Sequence, residues 1–424
     1  MELALGIDVG TSGVRALAMT RNGTVAAMVS QAMPAPKTVN GRVQQVPNDW
    51  LSAMSNCIND ISKLIELHNI TSIAIDGTSG TILALNLDGQ PIGPALMYND
   101  PSAKVEAAAL AKLAPADTAA LGATSPLGRA LTLQSLKGVA RIVHQADWLS
   151  GQLSGDTGIS DENNALKTGY DPVARRWPDW IAQTGLCMAL LPDVCPPGSR
   201  TGTVTADACK TFGFAPGTAV VAGTTDGCAA FLATGASNPG DAVTSLGTTL
   251  TVKLLSAKPV FAPQYGIYSH RIGDTWLAGG ASNSGGAALL QHFSRETMAA
   301  LAPRLDPASP TGLDYYPLPK AGERFPVNDP SYLPRLDPRP GDDAVFFQAL
   351  LEGIANIEAL GYRRLAELGA TPIKTMRSVG GGASNAGWSA IRLRALRVPF
   401  LDSASLEAAA GTARLAWRGI GVFV

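Results

Sequence analysis

The sequence predicts an α/β protein of two domains, and three observations carry that prediction. The chain has 424 residues, more than one ordinary hydrophobic core organises. A strand, a glycine turn and a second strand open it at residues 3–19, and the same pattern returns at residues 241–255. Hydrophobic residues make up 46% and charged residues 16%, with 45 Gly and 29 Pro, which suits a buried α/β enzyme better than a disordered or coiled-coil chain.

The elements follow in order. Residues 3–7 form a short apolar strand ending at Asp8; Gly10-Thr11-Ser12-Gly13 turns the chain, and residues 14–19 return. This is a hairpin and not the strand-to-helix turn of a P-loop. After the loop at 44–50, Asn48 or Asp49 is placed to cap a helix whose apolar stripe runs Leu51, Met54, Cys57, Ile58, Ile61, Leu64 and Ile65. Residues 71–76 read as a buried strand broken by Gly77-Thr78-Ser79-Gly80. In the second half, Gly247-Thr248-Thr249 joins strands 241–246 and 250–255. Two late helices, 346–368 and 406–416, flank a glycine-rich strand-to-helix turn at 379–388.

Bulk chemistry excludes several classes. With a net charge of -1 and no basic run, nothing draws the chain to nucleic acid or an anionic membrane, and no uninterrupted apolar stretch spans a bilayer. The five cysteines are scattered, as free thiols in a reducing cytosol would be. Residues 1–8 show no leader, so the expected location is cytoplasmic, or plastidic where a transit peptide has been removed. His68, His144, His270 and His292 fall outside the motifs and read as surface or structural.

Three segments carry chemistry. The Asp8 turn offers backbone N–H groups and hydroxyls to phosphate oxygens, and its carboxylate can hold Mg²⁺ through water. A plain hairpin turn is the competing reading, but Ser245-Leu246-Gly247-Thr248-Thr249 supplies a second such cradle. Asp226 stands alone in the uncharged stretch 219–236, so it is either a helix N-cap or a general base. The glycines at 380–382 let a flat ring approach the backbone, with Asn385 and Trp388 near its rim; a tight turn over a core Trp is the alternative.

In order along the chain come Asp8-x-Gly-Thr-Ser, Gln45-x-Pro47-x-x-Trp50, Gly223-x-x-Asp226, Ser245-Leu-Gly-Thr-Thr, Gly322-Glu323-Arg324-x-Pro326, Ala349-Leu-Leu-Glu352-Gly353 and Gly380-Gly-Gly-Ala-x-Asn385. Over essentially its whole length the sequence resembles an FGGY carbohydrate kinase. Ile75-Asp76-Gly77-Thr78-Ser79-Gly80-Thr81, 145–150, Asn164-Ala165-Leu166-Lys167 and 312–317 resemble the short members described as D-ribulose or xylulose kinases. The resemblance implies an actin/hexokinase-like (ribonuclease H-like) fold with an interdomain cleft. It implies a first domain at 1–233 on the sugar and phosphate side, and a second at 234–405 on the nucleotide side. A terminal helix, 406–424, would pack back on the first domain.

It also implies roles. Asp8 would organise Mg²⁺, and Gly10, Thr11, Ser12 and Arg15 would face the phosphates of ATP. Asp226 would be the catalytic base, with Ser79 beside it on the sugar. Gly247, Thr248 and Thr249 would hold phosphate from the second domain, and Gly380, Gly381, Asn385 and Trp388 would line the adenosine site. One motif departs: where many members carry Trp-x-Asp-x-Arg, this chain has Tyr98-Asn99-Asp100-Pro101-Ser102, without the Arg. The expected reaction is ATP-dependent phosphorylation of a ketopentose, D-ribulose first and xylulose second. A non-catalytic ATP-binding module would need neither Asp226 nor Ser79. Oligomeric state leaves no mark in the sequence.

Overall fold

The computed structural model describes residues 1–422; Phe423 and Val424, part of the expected terminal segment, lie outside them. The chain divides into two compact units. The first takes Met1–Gly235, His270–Gly273 and the chain from Ser405 onward, and the second takes Ala236–Ser269 and Asp274–Ala404.

The first unit is built on a six-stranded sheet. Its strands are β1 (Leu3–Val9), β2 (Gly13–Thr20), β3 (Val25–Ala32), β4 (Ile70–Gly77), β5 (Arg200–Thr203) and β6 (Ala219–Val221). Their spatial order is β5-β6-β4-β1-β2-β3. Every residue of β1 is buried, as a central strand covered on both faces requires. On one face lies α1 (Pro47–Ile61), packed through Trp50, Met54, Cys57 and Ile58. Its start differs from the sequence reading: Pro47 opens the helix after Val46, without a side-chain cap, so Asn48 and Asp49 lie inside the first turn. The helix stops at Ile61, and Leu64, counted in its stripe, is exposed.

On the other face the helix Ala408–Arg418 lies against β1 and against α2 (Asp226–Ala233). Two glycines make that approach possible. A Cβ on Gly6 would sit 2.1 Å from the Ala409 carbonyl oxygen, and one on Gly411 would sit 1.9 Å from that of Ala229.

In the second unit, β7 (Asp241–Leu246) forms an antiparallel hairpin with β8 (Leu250–Ser256), which pairs β9 (Thr275–Ala281). The 25-residue α3 (Asp343–Glu367) is followed by β10 (Thr375–Val379), parallel to β7, and then by α4 (Ala386–Leu396). By length and composition α3 is apolar enough to cross a membrane, but Glu352 and Glu358 interrupt it and 83% of its apolar window is buried, as in a core helix. Inside this unit, Arg392 Nε donates to Glu358 Oε2 at 2.6 Å with both side chains fully enclosed.

Candidate active site

The strand order of the first unit makes neighbours of three acids. In the parallel β1–β4 pair Asp8 stands directly beside Asp76. Gly77, the next residue, bridges Thr225, so the loop at 223–226 lies along the end of β4. Gly223 permits this, since a Cβ there would lie 1.8 Å from the Ile75 carbonyl oxygen.

Asp76 is wholly buried. Thr412 donates its hydroxyl to one carboxyl oxygen, and the other, Oδ1, has no hydrogen-bond partner among the described residues. Burial drives its pKa well above the carboxylate range, and the charges of Asp8 and then Asp226 push it further. The sequence reading passed over Asp76. Its signal was there: Asp76-Gly77-Thr78-Ser79 is the Asp8-Val9-Gly10-Thr11-Ser12 phrase without its Val.

Asp8 is nearly buried and receives Arg15 Nη1 on Oδ2 at 3.3 Å. Arg15 also approaches Glu407 at 3.5 Å, and its side chain is about half exposed. In the turn itself the carbonyls are committed. Thr11 O accepts from Gln45 Nε2 and Ser12 O from the Met33 N–H, and Gly10 N donates to Gly13 O. The hydroxyls of Thr11 and Ser12 hold no hydrogen bond among the described residues, so they are open to a phosphate.

Asp226 is the first residue of α2; Thr225 takes the cap position without a side-chain bond, which removes the N-cap reading of Asp226. Its Oδ1 accepts the Gly227 N–H at 2.6 Å. A carboxylate at a helix start gains from the helix dipole. Ser79, on the turn after β4, has a buried Oγ with no hydrogen-bond partner among the described residues, so it does not satisfy the turn backbone. A buried orphan hydroxyl costs free energy unless something else fills the bond. The turn is held from behind: Arg129, fully buried, donates to the Gly80, Leu96 and Met97 carbonyls.

The second unit gathers its predicted residues around an open cavity of about 790 Å³ lined by Gly247, Thr248, Gly381, Asn385 and Trp388, with an apolar wall that includes Leu289 and Phe347. Gly380 and Thr249 lie outside that lining. Gly380 adopts φ 85°, and a Cβ there would meet the Leu246 carbonyl oxygen at 2.9 Å, so its work is close strand contact. Asn385 Oδ1 accepts the Trp388 N–H at 2.9 Å and caps α4. Trp388 lines this cavity from within the core and not from an exposed rim. The indole is 4% exposed and packs in the core beneath Gly382, whose Cβ would lie 2.4 Å from the ring. Among the described residues no group of three or more His, Cys, Asp or Glu side chains could hold a metal ion by itself.

Comparison with known proteins gives these geometries a lineage. Residues 3–123 match the N-terminal domain, and residues 242–419 the C-terminal domain, of the FGGY family of carbohydrate kinases. A xylulose kinase of Staphylococcus epidermidis is 22% identical over 450 residues, spanning 100% of this chain and 89% of the relative. An autoinducer-2 kinase of Yersinia enterocolitica is 26% identical over 473 residues, spanning 100% and 87%. The solved structure of a xyloylose kinase from Brucella ovis superposes with a TM-score of 0.86 at 25% identity, covering 99% of this chain and 90% of its own. With its two-unit α/β fold and both family domains in sequence order, the chain belongs to the FGGY family of carbohydrate kinases and is a sugar kinase.

Proposed function

We propose that this kinase transfers the terminal phosphoryl group of ATP to the terminal hydroxyl of a ketopentose, with D-ribulose the preferred acceptor. The observation that carries the reading is the pairing of Ser79 and Asp226 on adjoining segments of the first unit. A buried hydroxyl with no hydrogen-bond partner among the described residues lies on the turn after β4, and a carboxylate opens α2 beside that strand end. A sugar hydroxyl can fill the first and give its proton to the second.

The chemistry then balances simply. The sugar oxygen forms a bond to the γ-phosphorus, the bond to the β-phosphate oxygen breaks, and ADP leaves with that electron pair. Asp226 accepts the hydroxyl proton, and because the transition state is loose it orients the nucleophile as much as it deprotonates it. The turn hydroxyls of Thr11 and Ser12, with Arg15, receive phosphate oxygens. The second unit's cavity, lined by apolar side chains, glycines and Thr248, suits the nucleoside.

Asp8 fits Mg²⁺ in one way only. A single carboxylate with open hydroxyls beside it suits an ion that keeps several waters and takes its remaining ligands from phosphate, not one caged by protein. When bound, Mg²⁺ would offset the phosphate charge, and Asp8 would hold its waters.

A second reading, xylulose as preferred acceptor, is favoured by the relatives named for that sugar. The two ketopentoses differ in the configuration of one hydroxyl, and hydrogen bonds decide such choices. ADP release measured over D-ribulose, D-xylulose, L-ribulose, glycerol and aldoses tests the proposal. D-ribulose should give the highest kcat/KM; a roughly tenfold preference for xylulose or glycerol would end the ribulose assignment.

A further inference from the structure

The loop that delivers Asp226 is held by a residue far away in sequence. Asn163 lies in the short helix Glu162–Leu166 and is fully buried. Its Nδ2 donates to Thr224 Oγ1 at 2.9 Å, two residues before Asp226. The same Nδ2 donates to the Arg271 carbonyl at 3.1 Å, and Oδ1 accepts the Arg271 N–H at 3.0 Å. Residues 270–273 belong to the first unit by packing, although the sequence on either side belongs to the second. Further ties secure this strap: Arg271 Nη1 donates to the Pro172 carbonyl at 3.2 Å, and Nε to that of Gly273.

The geometry fixes what the amide can do. A side-chain amide has two donor hydrogens, and here one goes to Thr224 and one to Arg271. The two bonds to Arg271 imitate a strand pair and leave the amide a single orientation. The remaining hydrogen therefore points in one direction, at the Thr224 hydroxyl. On its other side the Thr224 carbonyl accepts the Gly77 N–H at 3.4 Å, a longer and weaker tie. The helix bearing Asn163 is itself anchored, since Asp161 Oδ1 accepts the backbone N–H groups of Asn163 and Asn164.

We propose that Asn163, clamped by the strap at 270–273, is a positioning residue for phosphoryl transfer: through Thr224 it fixes the loop that presents Asp226 to the acceptor hydroxyl. The inference rests on the reading of Asp226 as the base. Misplacing a catalytic group by about 1 Å can cost on the order of 10²-fold in rate without any change in ground-state binding. The expected signature is thus a fall in kcat with substrate affinities retained.

The test uses the full-length enzyme with its best pentose and MgATP. Asn163→Ala and Thr224→Val should each lower kcat by about tenfold or more, with KM for ATP and sugar within about twofold. Thr224→Ser keeps the hydroxyl and should recover most of that loss. In an Asp226→Asn background, Asn163→Ala should change the residual kcat by less than about threefold, because a positioning effect vanishes with the group it positions. A purely structural role predicts equal factors in both backgrounds, or a lowered Tm with kcat per folded molecule unchanged; either result overturns the inference. Should Asn163→Ala fail to fold, the Thr224 pair decides: wild-type kcat in Thr224→Val overturns it. Near-normal turnover in Asp226→Asn would instead sink the base assignment, a separate outcome.

Discussion

The chain contains one hairpin built twice, and the two copies differ in chemistry, not in architecture. In the first, β1 and β2 are joined at Gly10–Ser12 and β4 runs parallel to β1; in the second, β7 and β8 are joined at Gly247–Thr249 and β10 runs parallel to β7. Both turns lock their carbonyls inward. Thr11 and Ser12 accept from Gln45 and Met33, and Gly247 and Thr248 accept from the Gly286 and Ala287 N–H groups. At matching strand ends, however, Asp8 has Asp76 beside it and Arg15 opposite, whereas Ser245 has Val379 and Thr251. Topology was duplicated, but charge was placed on one side only. An uncharged cradle suits a part of the substrate that is merely held. A cradle carrying three carboxyl groups suits the part where a proton and a phosphoryl group move.

The sharpest way to break that contrast is Asp226→Asn. The expected loss of turnover is roughly 10²–10⁴, the usual worth of a positioned base. ATP binding, followed by titration calorimetry, should be preserved, because the cavity proposed for the nucleoside belongs to the other hairpin's unit. Turnover close to wild type would remove Asp226 from its role and with it the asymmetry between the hairpins.

The buried acids extend the contrast. In the first unit Asp161 is raised to about 7, by burial first and then by the Asp147 charge, against the bonds it accepts from Asn163 and Asn164. In the second, Asp241 is lowered: burial opposes this, but bonds from Ser237, Thr375 and Asn238 and the Arg377 charge prevail. The signs differ accordingly. A raised acid gives its full stability below its ordinary pKa of 3.8 and loses it as pH climbs through about 7. A lowered acid gives stability above its ordinary pKa and loses it as pH falls through the folded value. The Asp161 contribution should therefore fade on the alkaline side and the Asp241 contribution on the acid side. Thermal unfolding between pH 5 and 8, values spanning the Asp161 transition near 7, should show Tm falling with pH, and Asp161→Asn should flatten that slope. An unchanged slope would remove Asp161 as its source.

Much of this is legible in the sequence. Both hairpins, the strand before Ser79 and the two late helices stand where apolar runs and glycine turns placed them, because those signals are local. What escaped was set by tertiary contact. Pro47 rather than Asn48 starts α1. Trp388 follows a glycine run that reads as a platform for a ligand ring, yet Gly382 lies against its own indole. Asp76 was hidden as a strand terminus until the parallel pairing set it beside Asp8. Asn163 and Thr224 are 61 residues apart, and no local pattern announces their bond.

The smallest expected effect is also the one closest to specificity. Ser79 Oγ is buried and partnerless, whereas Thr78, its neighbour, is saturated: its N–H and hydroxyl both meet Gln145 Oε1, at 2.9 and 2.8 Å, and the hydroxyl also meets Thr81 at 2.6 Å. The turn is thus rigid at Thr78 and chemically open at Ser79, which is the division of labour a sugar-reading hydroxyl needs. Losing one such bond costs on the order of 0.5–1.5 kcal/mol, and more where the sugar hydroxyl is left buried and unpaired. Ser79→Ala should therefore raise KM for the pentose by about threefold to tenfold, with KM for ATP little changed. The enzyme itself should lose no stability, since the alanine removes an unsatisfied group from the interior. If KM for the pentose stayed fixed while Tm rose, Ser79 would be a structural relic of the turn, and the acceptor hydroxyl would have to be read by another group near Asp226.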